Sequence, residues 1–463
     1  MSPRDPPYPK SSKHRMTPRH PARSFEFSLR PAWRAAFFLL ALGGAGLGVG
    51  GEAVRLWVAE ALWSTLTVAN LQTALAIDPM DPRIHRLLGS HFCYLEEPHM
   101  AEGLRHLRRA TELSPYGSNY WYALGSACDL ANDTACADDA FERAVRFSPA
   151  IPRFQWGAAN HDLVTDQTDK ALTYFHSLLQ LDPGYAWPSF RLCLRATGDA
   201  ELVYHKVVLP GNDTNLKLTL VNFLSGEGNN VEAARQVWSE VLAAPASFPI
   251  TAAEPYLERL VNLGRGQDAK RAWQDLERVG VVPAPDSGDR NNLLYNGDFE
   301  QPPMNAGLDW RLGVAPYLSA DFSDPGAYHG HRCVRLDFTV SRNEVYVGPY
   351  QFVPVEPGHA YGLQAYVRTQ NITSDSGPRL QVVDPVCPTC VNVLSDTTVG
   401  TTAWHPITLK FITGPQTQLV DVLVLRPLGR SFPTGITGSF WMDSVSLKAV
   451  DSGPEEVTLR PAH

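Results

Sequence analysis

The sequence predicts a multidomain chain: an α-helical repeat solenoid, then an all-β sandwich, behind one apolar N-terminal helix. Three observations carry that expectation. Pro79, Pro115, Pro149 and Pro183 recur at spacings of 36, 34 and 34 residues within amphipathic helical segments. From about residue 290 the helical period stops, and short strand-like runs alternate with turn signals. A basic leader precedes Ala35–Gly51, seventeen residues without a charge.

The chain has 463 residues, enough for two or three domains with real cores. Its net charge of −8 is spread thinly, and no basic face follows the leader, which argues against a nucleic-acid partner. Residues 1–32 hold many Arg and Lys, frequent prolines and no apolar period, so a disordered tail is expected. The span 33–58 is read as a transmembrane anchor, with Trp33 and Trp57 suited to the two interfaces. The basic side stays cytoplasmic, which places the rest of the chain outside. A cleaved signal peptide and a buried core helix are the alternatives; the leader is long for a signal, and no clean A-x-A site follows the run. Gly44 with Gly48 and Gly46 with Gly50 have the spacing of helix-pairing glycines, although glycine is common in membrane helices anyway.

The helical array is expected over 60–280. Each repeat-ending proline follows Asp78, Ser114, Ser148 or Asp182. Five residues before it stands Ala74, Ala110, Ala144 or Leu178, and eight before it Leu71, Leu107, Phe141 or Phe175. Gly103, Ala137 and Ala171 lie twelve before the last three. A small residue there lets two helices approach, the larger one fills the space beside them, and proline stops the second helix. This pattern resembles the tetratricopeptide repeat family, most fully at Trp121, Leu124, Gly125, Ala137, Phe141, Ala144 and Pro149. Cys128 departs from it, standing where the family has a bulky aromatic. The resemblance implies a concave surface that holds a protein partner; Asn119 and Tyr120, early in a first helix, are groove candidates or plain surface residues. Degenerate hairpins are expected near 215–245 and 252–280, with a break at "LVYHKVVLPGNDTN". In the hairpin so placed, Cys128 and Cys136 meet at the turn, so they form a disulfide or two buried thiols. Cys93 and Cys193 read as core fillers.

A linker is expected over 281–291 and a sandwich or jelly roll over 292–450, followed by a tail at 451–463. "NLLYNGDFEQ" at its start and "FWMDSVSL" at its end, with "YQFVPVEPGHAYGLQAYVRT" and "TTAWHPITLKF", resemble the galactose-binding-like jelly roll of carbohydrate-binding modules. The resemblance implies a structural calcium ion beside the first and last strands, with Glu300 and Asp443 as ligands and Asp298 nearby; the alternative is solvated edge acids. It also implies a glycan site built on aromatic faces. Trp310, Tyr317, Tyr346 and Tyr350 are the candidates, against the alternative that they fill the core. Trp404 and Trp441 read as core-strand residues. Cys387 and Cys390 in "CPTC" read as a loop disulfide, because no second Cys pair completes a zinc site. Cys333 reads as buried in a strand. "HGH" at His329–His331 lacks a third metal ligand, and no nucleophile elbow, phosphate loop or HExxH occurs. The expectation is therefore no enzyme, but a membrane-anchored cell-envelope scaffold whose solenoid binds a protein and whose sandwich contacts glycan, in surface polysaccharide assembly or export. The rival readings are a structural sandwich without a ligand and a cryptic hydrolase.

Overall fold

The computed structural model describes residues 32–64, 67–94, 99–209, 212–243, 248–284, 289, 291–313, 318–339, 343–432 and 434–450. The basic tail and the C-terminal tail lie outside the described residues. The chain divides into two compact units, Met1–Ala131 and Asn132–His463.

The first unit contains α1 (Ala32–Trp63), α2 (Val68–Ile77), α3 (Pro82–Tyr94), α4 (Met100–Leu113) and α5 (Ser118–Leu130). Within α1, the 27 residues Ala36–Leu62 are long and apolar enough to cross a membrane. Phe37, Leu40, Leu47 and Trp57 stand exposed along it. At its far end Ala59 is buried and Leu62 packs on Leu71, Ala74, Ile84, Leu88 and Phe92. The far end of the apolar helix is therefore packed against the first helical hairpins. Glycine permits the close crossing of α3 and α4: a Cβ on Gly89 would lie 2.6 Å from Leu107 Cγ, and one on Gly103 would lie 2.3 Å from Cys93 Sγ.

The second unit continues the array with α6 (Thr134–Phe147), α7 (Pro152–Val164), α8 (Thr168–Leu181), α9 (Ala186–Thr197), α10 (Ala200–Val203), α11 (Thr214–Ser225), α12 (Val231–Leu242), α13 (Ile250–Asn262) and α14 (Gly266–Arg278). The periodic prolines act as their spacing suggests. α2, α4, α6 and α8 end at Asp78, Ser114, Ser148 and Asp182, whose N–H groups bond the carbonyls of Ala74, Ala110, Ala144 and Leu178. The following proline biases each of these cap residues away from helical backbone. The expected break is only half a break. α10 runs on into a π-helical turn over Tyr204–Val208, because Val203, Tyr204, Val207 and Val208 recur four apart and are all buried.

The sandwich follows as β1 (Leu318–Asp324), β2 (Cys333–Phe338), β3 (Tyr346–Pro354), β4 (Ala360–Ile372), β5 (Arg379–Val383), β6 (Asn392–Leu394), β7 (Gly400–Ile412), β8 (Leu419–Arg426) and β9 (Gly438–Ala449). One sheet has the order β1-β2-β9-β4-β7 and the other β3-β8-β5-β6, with antiparallel pairing. Between them lie Phe299, Trp310, Val334, Leu336, Leu363, Val367, Val422, Phe440 and Met442. The opening and closing motifs zip together: Leu293 N–H donates to Leu447 O at 2.9 Å and Val445 N–H to Gly297 O at 2.7 Å.

The outer face of the four-stranded sheet is not left to solvent. The solenoid core of Phe175, Phe190, Phe223, Trp238, Tyr256 and Trp273 continues into Val282, Tyr295, Leu308 and Leu419 of the sandwich side. Contact is close enough to demand glycine. A Cβ on Gly266 would lie 1.8 Å from the Gln418 carbonyl oxygen, and one on Gly307 would lie 2.2 Å from Trp273. Gln267 Nε2 donates to Val355 O at 3.1 Å, and Tyr295 Oη donates to Pro283 O at 2.8 Å. At the centre the Arg311 guanidinium forms a two-pronged pair with Glu258 of α13, donates to Gly307 O at 2.7 Å and lies over the Phe352 ring.

Cys387 and Cys390 are bridged in the loop between β5 and β6. Cys128 and Cys136 are both in the disulfide-bonded state. Cys93, Cys193 and Cys333 are free and buried, and burial pushes the thiols of Cys193 and Cys333 up to about 12.

Candidate functional site

Of the aromatic residues singled out from sequence, the three that are described, Trp310, Tyr346 and Tyr350, do not form a binding surface. Trp310 is 0% exposed, with its Nε1 donating to Asn296 O at 3.0 Å. Tyr346 is 3% exposed and packs edge-on against Phe338. Tyr350 is half-buried beside Phe352 and pairs through its backbone with Arg311, on the side of the sandwich that meets the solenoid. Tyr317 lies outside the described residues. The correction has a simple cause: Trp310, Tyr346 and Tyr350 occupy the space between the sheets or the joint, where burial of a large ring contributes most.

The exposed aromatic surface lies on the outer face of the five-stranded sheet. Strand parity places it there. On β4, Tyr361, Leu363, Ala365 and Val367 point inward, so Tyr366 and Arg368 point outward. On β7, Leu409 and Phe411 are inward, so Trp404, an odd number of residues away, is outward. On β9, Phe440 and Met442 are inward and Trp441 is outward, paired in register with Arg368. Trp404, read from sequence as core, is therefore a half-buried surface residue. Trp441 does become buried, at 4% exposure, but under arginines rather than apolar groups: Arg368 lies 4.1 Å and Arg335 5.2 Å from its ring centroid. Tyr328, in the loop between β1 and β2, stacks on Tyr366 at 3.8 Å and lies 5.8 Å from Trp404, while remaining 45% exposed.

Glu300 and Asp443 build this surface from below. Asp443 Oδ2 accepts the N–H groups of Tyr328 at 2.8 Å and His329 at 3.0 Å, and its Oδ1 accepts Ser444 N–H at 2.5 Å. Glu300 Oε1 accepts the N–H groups of His331 at 2.6 Å and Arg332 at 3.1 Å. Burial pushes the Asp443 carboxyl up, against the pull of its three amides. Two buried or half-buried acids thus clamp the loop that holds Tyr328 in place. This arrangement does not fit the expected calcium ion. A hard cation needs a shell of six to eight oxygens, whereas N–H donors converge on three of the four carboxylate oxygens here. His329 and His331 stand exposed on the same loop, and among the described residues they join no metal-ligating group.

In the solenoid of the second unit, a groove of about 420 Å³ crosses the first helices of successive hairpins, α9, α11 and α13. Trp187, Thr219, Asn222, Glu258, Arg259 and Asn262 are among the residues that line it. Trp187 is 41% exposed, and Asn222 Oδ1 is buried without a hydrogen-bond partner. Asn119 is exposed and Tyr120 half-buried on α5 of the first unit. A separate group, Asp138, His161 and Asp162, brings three metal-capable atoms within 4.8 Å. Most of its atoms are engaged, although Asp162 Oδ2 is buried without a hydrogen-bond partner. His161 Nε2 pairs with Asp138 Oδ1 at 3.0 Å, Gln167 donates to the same oxygen at 3.0 Å, and Lys170 approaches Asp162 at 3.4 Å. Burial works against the Asp138 charge, yet Gln167 and His161 hold its carboxyl below the usual range; burial pushes Asp162 up despite Lys170. The group reads as a polar joint between hairpins.

No family model and no curated protein matches the chain. Similar solved structures do occur. The chain's structural neighbours include tetratricopeptide-repeat proteins and carbohydrate-binding modules. One is MamA, 15% identical, covering 38% of this chain and 84% of its own, at a TM-score of 0.27. A second is YrrB, titled a TPR protein with an unusual peptide-binding site, 16% identical, covering 43% and 90%, at 0.28. A third is the module TmCBM61 in complex with β-1,4-galactotriose, 18% identical, covering 34% and 99%, at 0.25.

Proposed function

We propose that the protein is a non-catalytic, membrane-anchored adaptor of the cell envelope. Its solenoid holds a protein partner, and its sandwich contacts glycan through the outer face of the five-stranded sheet. The observation that carries the glycan reading is the outward-facing cluster of exposed Tyr328 with half-buried Tyr366 and Trp404, held up by the Asp443 and Glu300 clamp. Sugar rings present apolar C–H faces that stack on such rings, and nearby polar groups set orientation. The groove over α9, α11 and α13 offers a peptide an exposed indole, amides and the Arg259 cation. An apolar helix packed at its far end on the first hairpins supports anchoring, and the basic leader supports a cytoplasmic N-terminus with the bulk of the chain outside. On this reading, from the pairing of domain types alone, the protein acts in surface polysaccharide assembly or export.

The test is a glycan array followed by calorimetry, with the full chain in detergent. Trp404→Ala and Tyr328→Ala should each weaken binding at least tenfold, about 1.4 kcal/mol, whereas Tyr350→Phe should leave it unchanged. No binding to any polysaccharide would end the glycan reading. For topology, a reporter active only in the cytosol, fused after His463, should stay silent; a signal there would overturn the outward placement.

A further inference from the structure

The charges on the aromatic face are distributed unevenly. Arg335 is neutralised: it donates to Asp337 at 2.9 Å and lies 3.5 Å from Asp324. Asp337 also takes the Ser439 hydroxyl, and Asp321 takes the Ser323 hydroxyl and N–H. These acids sit on β1 and β2. Arg368, across the sheet on β4, has a different setting. It lies 4.1 Å from the Trp441 ring centroid and 5.4 Å from that of Trp404. Among the described residues it donates no hydrogen bond and forms no ion pair. Asp443, the nearby carboxyl on β9, is 0% exposed and is taken up by backbone amides. His405 on β7 has its Nδ1 occupied by Ala403 O at 2.9 Å. Asp324 Oδ1, which accepts the Gly326 N–H at 2.8 Å, stands near the guanidinium without forming an ion pair with it: a Cβ on Gly326 would lie 2.8 Å from that oxygen and 3.2 Å from Arg368 Nη2.

A guanidinium stacked on a ring keeps its in-plane N–H fork, which matches a pair of anionic oxygens. Here the fork is presented beside rings suited to a pyranose face. Resting on the glycan reading above, we propose that this face selects an acidic polysaccharide, with Arg368 holding the paired oxygens of a uronate carboxylate or a sulfate ester while Trp404 and Tyr328 hold the ring. A neutral hexose fills the rings and leaves the fork unmet, which costs discrimination in favour of the acidic sugar.

The experiment measures the full chain in detergent against matched pairs: oligogalacturonate and its carboxyl-reduced form, oligomannuronate and its reduced form, and chondroitin sulfate with its desulfated form. The expected result is at least tenfold tighter binding to one or more acidic members than to the neutralised partner, with affinity falling as salt rises. Preference within the uronate pairs or within the sulfate pair identifies the anion. Arg368→Gln should erase the preference, the acidic member of each pair then binding no tighter than its neutralised partner, and Arg368→Lys, which keeps charge without the fork, should restore it only partly. Trp404→Ala should weaken acidic and neutral binding together. Equal wild-type affinity within every pair would overturn the proposal and leave the glycan face standing. Binding to none of these or to any other glycan would overturn the glycan face itself. The wild-type comparison decides the matter even where a variant folds poorly.

Discussion

Arg311→Ala should destabilise the second unit by about 3–5 kcal/mol, the range for removing one partner of a buried ion pair. The Arg311 side chain is 11% exposed and its partner Glu258 29%. The guanidinium reaches from the sandwich to α13, and it also meets the Gly307 carbonyl and the Phe352 ring. Its loss strands a largely desolvated Glu258 and a carbonyl, and opens a hole beneath Phe352. Because the solenoid core runs on into Tyr295, Leu308 and Leu419, the damage should spread to both halves rather than free one of them. Urea unfolding of the full chain in detergent, followed by tryptophan fluorescence, reads the change. Arg311→Met combined with Glu258→Met should recover most of the loss, since apolar replacement of both partners removes the stranded charge. A single variant as stable as the wild type would show that the pair does not hold the joint.

The second large effect is a pH dependence at the same joint. Asp421 lies on β8 between Leu419 and Leu423, on the side facing the solenoid, and its Oδ1 finds no hydrogen-bond partner. Burial pushes its carboxyl up to about 7, against the pull of Arg311. An unfolded aspartate titrates near 3.9. Between those values the folded chain keeps a proton that the unfolded chain has released. Stability should therefore be fullest below about pH 4, decline as pH rises toward about 7, and stay reduced above it. At roughly 1.4 kcal/mol for each unit, the decline is about 2–4 kcal/mol. Asp421→Asn should match the wild type at pH 4, exceed it by that amount at pH 8, and flatten the profile. In the Arg311→Ala background the decline should extend to higher pH and grow in total, because the cation opposing the shift is gone. A wild-type profile that is flat between pH 4 and 8 would contradict this account.

The two halves were unequally legible. The repeat pattern reported local physics. A proline constrains its own turn, so Asp78, Ser114, Ser148 and Asp182 mark four helix ends by themselves. The zip between "NLLYNGDFEQ" and "FWMDSVSL" was legible only through the resemblance to carbohydrate-binding modules, since its backbone bonds join residues as distant as Leu293 and Leu447. The "LVYHKVVL" stretch was misread because the proline and glycine that follow it outweighed the four-residue recurrence of Val203, Tyr204, Val207 and Val208.

The site residues went wrong in an instructive direction. Aromatic type alone favoured Trp310 and Tyr346, which fill the interior, and Trp404 was set aside because its neighbours looked like core. Counting by twos back from Leu409 and Phe411 places Trp404 outward, and counting from Leu363 and Val367 does the same for Tyr366. That signal was present in the sequence. The clamp by Glu300 and Asp443 was not: their pairing with amides 31 to 115 residues away requires the closed sandwich.

The sequence by itself determined where helices stop, where the helical array gives way to strands, and which helix can enter a membrane, because each depends on residues within a turn or two of one another. Only the tertiary structure decided which rings face water, which arginine lacks an acid, and that α13 and α14 fuse with the four-stranded sheet. Those outcomes depend on which surfaces cover each other, and Gly266 against Gln418 is a contact between residues more than a hundred positions apart.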